Sequence, residues 1–128
     1  MEKMKIMLVD DEDRFLMTTS KLLEKKGFDV VTAASGDQCL NLLEQQPVHV
    51  VILDVKMPGM DGIETLKNIK RRHPLIEVIM LTGHATAEAA VDGLKSGATD
   101  YLTKPISVDD LVAKAEEAFA NRRVLEEK

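Results

Sequence analysis

The sequence contains little cysteine and no long apolar segment. Cys39 is the single cysteine among 128 residues, so an intramolecular disulfide is excluded and a cytoplasmic location is expected. Its i, i+3, i+4 spacing with Leu42 and Leu43 favours a small buried core residue over a reactive thiol. The apolar runs have the length of strands, and the amino terminus, MEKMKIMLVDD, lacks a signal-peptide pattern. We therefore expect a protein that is neither exported nor membrane-spanning.

Basic charge is also scarce. Lysine and arginine number 17 against 22 acidic residues, which gives a net charge of −5. Nucleic-acid binding needs a concentrated basic surface, so no direct nucleic-acid binding by this chain is expected. The one basic cluster falls near the end of a predicted helix, where cations complement exposed carbonyls: Lys67, Lys70, Arg71 and Arg72. A nucleotide-binding fold is also disfavoured, because no G-x-G-x-x-G or Walker A pattern follows a strand.

What the sequence does contain is a fivefold alternation of short apolar runs and stretches with helical periodicity. Three runs are rich in valine and isoleucine and nearly continuous, as expected for strands covered on both faces. The predicted strands are Ile6–Val9, Val30–Ala33, Val48–Leu53, Val78–Leu81 and Tyr101–Leu102. Strands that alternate with helices pair in parallel through right-handed crossovers, which predicts a three-layer α/β/α sandwich. The length suits a single domain over residues 1–128.

The sequence also indicates which helix faces are buried and where the helices begin and end. The apolar stripe of the first helix is predicted to consist of Phe15, Leu16, Thr19, Leu22 and Leu23. Ser35, Asp61 and Ser107 have the spacing to a later polar residue that is typical of capping boxes. Gly27 and Gly97 stand where helices should end in a left-handed residue.

Polar residues follow four of the five apolar runs. Asp10 and Asp11 end the first run, Asp54 the third and Thr82 the fourth, and Lys104 comes soon after the fifth. The carboxyl ends of parallel strands share one edge of the sheet, so we expect these side chains to converge. Three carboxylates in one place require a cation, and oxygen ligands suit Mg²⁺, with Mn²⁺ as the alternative. The lysine and the threonine hydroxyl could then bind a phosphoryl group that a carboxylate accepts as a mixed anhydride.

Taken singly, each of these residues also has an ordinary structural interpretation. Asp10 and Asp11 could cap the first helix, and Asp54 could be a turn residue after its strand. Thr82 could supply a turn hydroxyl before Gly83, and Lys104 could be a surface lysine. Their joint placement at one edge favours a functional site.

The segments MLVDDE, LDVKMPGMDG, MLTGHA and YLTKPI, in this order, resemble the bacterial response-regulator receiver domain over Lys5 to about Arg123. The resemblance implies a flavodoxin-like sheet of order 2-1-3-4-5. It also implies a phosphoacceptor switch of two-component (phosphorelay) signalling, in which Asp54 receives a phosphoryl group from a sensor histidine kinase or a histidine phosphotransfer protein. Such a protein is regulatory and catalyses only its own phosphorylation and dephosphorylation.

The same resemblance assigns a magnesium site. Asp11 would bind Mg²⁺ directly, and Asp10 would bind it mainly through water. Asp54 and the backbone carbonyl of Lys56 would complete the protein ligands.

For the switch, the resemblance implies that Lys104 pairs with the phosphoryl group and that Thr82 moves to hydrogen-bond it. Tyr101 matches the aromatic residue that rotates inward at the same time, and the Lys104-Pro105 peptide is expected to be cis. Lys56 and His84 flank the phosphoryl position, and our hypothesis is that they set the lifetime of the phosphorylated state.

Two alternative functions fit these residues less well. A metal-dependent phosphohydrolase or phosphotransferase of the Asp-nucleophile type commonly has a second aspartate two residues after the nucleophile, where this chain has Lys56. A receiver-like interaction module that is not phosphorylated would have lost parts of the acidic pocket, and every part is present. For a phosphorylated switch, we expect a downstream effector or a fused output domain as partner, and the last two helices offer a surface for a homodimer. The fourth helix, around Thr86–Ser96, is the element expected to shift.

Overall fold

Strands and helices alternate in the computed structural model, which describes residues 4–55, 62–83 and 87–126. Within those residues the strands are β1 (Lys5–Val9), β2 (Asp29–Ala33), β3 (Val50–Leu53), β4 (Glu77–Thr82) and β5 (Asp100–Thr103). The helices are α1 (Asp13–Lys25), α2 (Gly36–Gln45), α3 (Gly62–Arg72), α4 (Ala87–Lys95) and α5 (Val108–Glu126). All predicted strands are present, and only β3 starts later than predicted, at Val50 instead of Val48.

The strands form one parallel sheet of order β2-β1-β3-β4-β5, as predicted. Val9 of β1 lies opposite Leu53 of β3, and Leu53 lies opposite Met80 of β4. The strand order reverses between β1 and β3. In open parallel sheets, ligands bind outside the carboxyl ends of the strands at such a reversal. A ligand site is therefore expected at the residues that follow Val9 and Leu53.

Alternate residues of each strand supply two separate cores, one on each face of the sheet. Met7, Leu53 and Met80 belong to the core covered by α2 and α3. Leu8 and Ile52 belong to the core covered by α1 and α5. This arrangement confirms the three-layer sandwich. No helix in the described part of the chain is long and apolar enough to span a membrane.

Most of the predicted helix signals are found in the structure. Gly27 and Gly97 have φ of 98° and 110°, the left-handed conformation expected after a helix. The Ser35 hydroxyl accepts a hydrogen bond from the Gln38 amide at 3.1 Å, as an N-cap should. Leu22 departs from the predicted stripe of α1, because its side chain is 40% exposed at the margin of the helix face that packs on the sheet. Asp61 lies outside the described residues.

Cys39 is fully buried in the core beneath α2, as predicted, and burial raises the pKa of its thiol to about 12. The thiolate is the reactive form, so its population at neutral pH is about a thousandfold lower than for a thiol with a pKa near 9. We expect iodoacetamide to leave the native protein unmodified at pH 8 and to alkylate it rapidly in 8 M urea. Intact mass spectrometry over time measures both rates, and fast native alkylation would contradict the burial of this residue.

Candidate functional site

Two aspartates lie side by side at the point where the strand order reverses. Asp10 and Asp54 directly follow the paired residues Val9 and Leu53, so the sheet register makes them neighbours. The Asp54 amide donates to the Val9 carbonyl at 2.9 Å, which continues the ladder between β1 and β3 by one residue. The side chains of both aspartates are buried, with 2% and 6% exposure respectively.

Asp11 completes a cluster of three carboxylates. One carboxylate oxygen from each of Asp10, Asp11 and Asp54 lies within 4.8 Å of the other two. Asp11 is exposed, so the cluster is open to solvent on its side. Three negative charges this close repel one another unless a cation is present, and carboxylate oxygens are the ligands that hard divalent cations prefer. The donor set therefore fits a metal ion.

Lys104 brings a positive charge to this cluster. Its backbone amide donates to the Thr82 carbonyl at 2.8 Å, directly after the pairing of β4 with β5, and its peptide bond to Pro105 is cis. Its ammonium donates to Asp10 Oδ2 at 2.6 Å and to Glu12 Oε1 at 3.1 Å. Burial opposes the charged form, but the hydrogen bonds to Asp10 and Glu12, together with the negative charges of Asp10 and Asp54, outweigh burial and raise the pKa of Lys104.

Thr82 and Tyr101 occupy the other side of the sheet edge. Thr82 is the last residue of β4 and is 1% exposed. Strand alternation places it on the face of Met80, where the half-buried ring of Tyr101 also packs. The Tyr101 hydroxyl is buried and has no hydrogen-bond partner among the described residues. Burial, and then the charge of Asp54, raises the pKa of this phenol.

Sequence reasoning missed two residues of the site, Glu12 and Phe15. Glu12 is the N-cap residue of α1, and the Phe15 ring lies 4.2 Å from the Lys104 ammonium in a cation–π contact. Glu12 belongs to the MLVDDE segment. An acidic side chain next to two clustered aspartates could have indicated that Glu12 also belongs to the site. Lys56 and His84, the two residues expected to flank the phosphoryl position, lie outside the described residues.

The first residue of α3, Gly62, lies very close to the backbone that follows β3. A Cβ atom at this position would lie 2.5 Å from Val55 Cα and 2.6 Å from the Asp54 carbonyl oxygen. Both neighbours are backbone atoms and cannot move aside without displacing the aspartate. We expect Gly62→Ala to lower the free energy of unfolding by about 3 kcal/mol, as overpacked substitutions do.

The measurement is urea unfolding, with Gly83→Ala as the matched control. A Cβ atom at Gly83 would meet nothing within 4 Å, so this variant should stay within about 1 kcal/mol of the unsubstituted protein. Equal stability of the two variants would contradict the close approach at Gly62.

A parallel α/β sandwich with clustered aspartates at its switch point and a lysine beside them is the arrangement of a receiver. The family model of the response regulator receiver domain matches residues 6–116. The chain therefore belongs to the response-regulator receiver family. Receiver domains of this family are phosphoacceptor switches, and the phosphohydrolase alternative has no support.

Relatives and solved structures agree with this assignment. The chain is 42% identical over 116 residues to the transcriptional regulatory protein ZraR of Escherichia coli (strain K12), covering 91% of this chain and 26% of that protein. It is 42% identical over 109 residues to a putative NtrX-like response regulator of Rickettsia bellii, covering 84% of this chain and 23% of that protein. The chain thus spans about a quarter of the length of these curated relatives.

Among solved structures, a CheY-like receiver domain protein from Methanospirillum hungatei JF-1 superimposes with a TM-score of 0.91 at 32% identity, covering 95% of this chain and 98% of that one. NtrX from Brucella abortus superimposes with a TM-score of 0.91 at 31% identity, covering 98% of this chain and 29% of that one. The fold is therefore shared both with a protein of similar length and with part of a longer regulator.

Proposed function

We propose that Asp54 accepts the phosphoryl group and that its neighbours form the machinery for this transfer. The observation that carries the proposal is the cluster of Asp10, Asp11 and Asp54 with Lys104 at the switch point. Asp54 is the member at the centre of the sheet, since β3 lies between β1 and β4. Its buried carboxylate is thus flanked by the two aspartates on one side and by the end of β4 on the other.

Asp11 and Asp54 are proposed to bind Mg²⁺ directly, with Mn²⁺ as the substitute. Asp10 is proposed to bind the ion mainly through water, and the backbone carbonyl of Lys56 is a further ligand. When bound, the ion neutralises the carboxylates and the charge that develops on the phosphoryl oxygens. Asp10 and Asp11 would hold the ion beside Asp54. Lys104 supplies a second positive charge at the same edge of the sheet.

In the reaction, a carboxylate oxygen of Asp54 attacks the phosphorus of a phosphohistidine in a sensor histidine kinase or a histidine phosphotransfer protein. The new oxygen–phosphorus bond forms as the phosphorus–nitrogen bond of the donor breaks, and the imidazole leaves with a proton from solvent. Positioning and charge stabilisation carry such a transfer, so the residues around Asp54 need supply little else. Water later cleaves the acyl phosphate and restores the carboxylate. The chain thereby catalyses only its own phosphorylation and dephosphorylation.

The signal is proposed to pass through Thr82 and Tyr101. A phosphoryl group brings about two negative charges and three acceptor oxygens to Asp54. The Thr82 hydroxyl would turn toward these oxygens, and the space beside it would favour the inward position of the Tyr101 ring. This coupling is supported by their common face of the sheet and by the influence of the Asp54 charge on the Tyr101 phenol.

Helix α4 is the element expected to respond, because its backbone passes close to Tyr101. A Cβ atom at Gly93 would lie 3.6 Å from Tyr101 Cδ2. We expect acetyl phosphate with Mg²⁺ to change amide hydrogen exchange in α4 more than in α1, since short side chains give α4 little buried area. Exchange followed by mass spectrometry measures both helices, with the Asp54→Asn protein as the control. Equal changes in α1 and α4 would contradict this route.

The output is proposed to be a downstream effector or an output domain fused to the receiver, since the curated relatives are about four times as long as the matched region. We propose that residues 1–128 form one receiver domain. Helices α4 and α5 are the proposed surface for a homodimer. Lys56 and His84 remain the proposed residues that set the phosphoryl lifetime.

The proposal is tested by incubating the protein with acetyl phosphate, with Mg²⁺ or with EDTA, and measuring the intact mass. We expect one added phosphoryl group per chain only when Mg²⁺ is present, and its loss at alkaline pH, because acyl phosphates are labile to base. Labelling that survives alkali, or that proceeds equally in EDTA, would contradict an Mg²⁺-dependent aspartyl phosphate.

A further inference from the structure

The Lys104 ammonium contacts three residues that lie just before α1 or in its first turn. Asp10 Oδ2 lies at 2.6 Å, Glu12 Oε1 at 3.1 Å and the centre of the Phe15 ring at 4.2 Å. The two carboxylates differ in their surroundings, because the side chain of Asp10 is 2% exposed and that of Glu12 is 65% exposed. The lysine is therefore held between an anion that belongs to the buried cluster and an anion at its rim.

Both oxygens of Asp10 are already engaged. Oδ1 accepts a hydrogen bond from the Glu12 amide at 2.9 Å, and Oδ2 accepts from Lys104. A divalent cation held by Asp10, Asp11 and Asp54, directly or through water, would place a second positive charge beside the carboxylate that binds the ammonium. Two cations on one carboxylate repel each other strongly in a partly buried site. Cation binding is therefore expected to weaken the interaction between Asp10 and the ammonium.

Glu12 is positioned to bind the Lys104 ammonium when its interaction with Asp10 weakens. Its carboxylate touches the ammonium before any movement, and it makes no capping hydrogen bond to the amides of α1. The Phe15 ring lies one helical turn further along and offers its face to the same ammonium. Without an acceptor at the rim, the lysine would be released to solvent just when the phosphoryl group requires it.

We propose that Glu12 is a positioning residue that takes over the Lys104 ammonium from Asp10 when a divalent cation binds. The handover lowers the cost of cation binding, and it keeps Lys104 beside Asp54 until phosphoryl oxygens arrive. This inference rests on the proposed function, because it assumes that the aspartates bind a divalent cation and that Lys104 binds the phosphoryl group.

The test uses Mg²⁺ alone, without any phosphodonor, on the full chain and on Glu12→Gln. Calorimetry gives the dissociation constant for Mg²⁺, and NMR of ¹⁵N-lysine-labelled protein reports how well the Lys104 ammonium is protected from solvent. We expect the dissociation constant to rise about fivefold in Glu12→Gln, the upper range for an exposed ion pair. The Lys104 ammonium signal should persist in the unsubstituted protein with Mg²⁺ and should broaden or vanish in Glu12→Gln with Mg²⁺.

Asp13→Asn is the matched control. It removes one negative charge from the neighbouring exposed residue, whose carboxylate makes no ion pair in the parts of the chain described above. Its dissociation constant should change less than twofold. A rise equal to that of Glu12→Gln would mean that net charge alone acts, and it would overturn the proposal. So would a Lys104 signal that persists in Glu12→Gln with Mg²⁺, or an unsubstituted protein that does not bind Mg²⁺.

Labelling of Asp54 by acetyl phosphate is measured separately on the same unsubstituted protein. If the handover occurs and Asp54 is not labelled, the proposed function fails and the role of Glu12 stands. If Asp54 is labelled and the Mg²⁺ and NMR results do not depend on Glu12, the role of Glu12 fails alone. Urea unfolding of Glu12→Gln should stay within about 1 kcal/mol of the unsubstituted protein, because Glu12 makes no capping hydrogen bond and its ion pair with Lys104 is exposed.

Discussion

Asp54→Asn should abolish the Mg²⁺-dependent labelling by acetyl phosphate. The amide is nearly isosteric with the carboxylate, but it lacks the negative oxygen that attacks phosphorus and binds the cation. The Asp54 side chain is 6% exposed and its backbone amide is part of the β1–β3 ladder, so the variant retains the local hydrogen bonding of the main chain. Intact mass after incubation with acetyl phosphate and Mg²⁺ measures the labelled fraction.

The control for this substitution is Asp37→Asn. Asp37 is an exposed aspartate in the first turn of α2, and its removal changes the net charge by the same amount. Asp37→Asn should label at the unsubstituted rate. Labelling of Asp54→Asn at a comparable rate on one of the neighbouring aspartates would show that the cluster, and not Asp54 in particular, accepts the group.

Lys104→Gln should slow the labelling by about 100-fold, the effect of removing one preorganised charged donor from a transition state. The ammonium is hydrogen-bonded to Asp10, whose carboxylate lies in the same cluster as that of Asp54. Glutamine keeps a hydrogen-bond donor near Asp10 but carries no charge for the phosphoryl oxygens. The initial rate at saturating Mg²⁺ is the quantity to compare.

Lys114→Gln is the matched control, because Lys114 is also paired with an aspartate. Its ammonium lies 3.3 Å from Asp100 Oδ2, on the exposed surface of α5. Labelling should be unchanged in this variant. If both lysine substitutions slow the reaction equally, general charge and not the position of Lys104 is responsible.

The sequence predicts the fold well because it contains two clear patterns. Continuous apolar runs are typical of buried parallel strands, and stretches with helical periodicity are typical of amphipathic helices. Runs such as Val50–Leu53 are apolar at every position, and in the structure all four of these side chains are buried between two helical layers. The polar residue after each run then identifies the carboxyl edge of the sheet. The convergence of Asp10 and Asp54 follows from strand pairing alone, since Val9 and Leu53 are partners in the ladder.

The partner of Lys104 could not be predicted in the same way. Asp10 and Glu12 are 94 and 92 positions away from it in the chain, and several anions compete for one ammonium at this edge. Which anion holds it depends on side-chain conformation and on whether a cation is bound, and neither has a sequence pattern. Leu22 shows a similar limit, because helical spacing alone does not separate the centre of an apolar face from its margin.

The most direct test of the central claim is to identify the residue that carries the phosphoryl group. Borohydride reduces an aspartyl phosphate to homoserine, so protein treated with acetyl phosphate and Mg²⁺, then with borohydride, can be digested and sequenced by mass spectrometry. The account predicts homoserine at position 54 and at no other aspartate. Homoserine at Asp10 or Asp11, or its absence from a protein that carries the added mass, would contradict it.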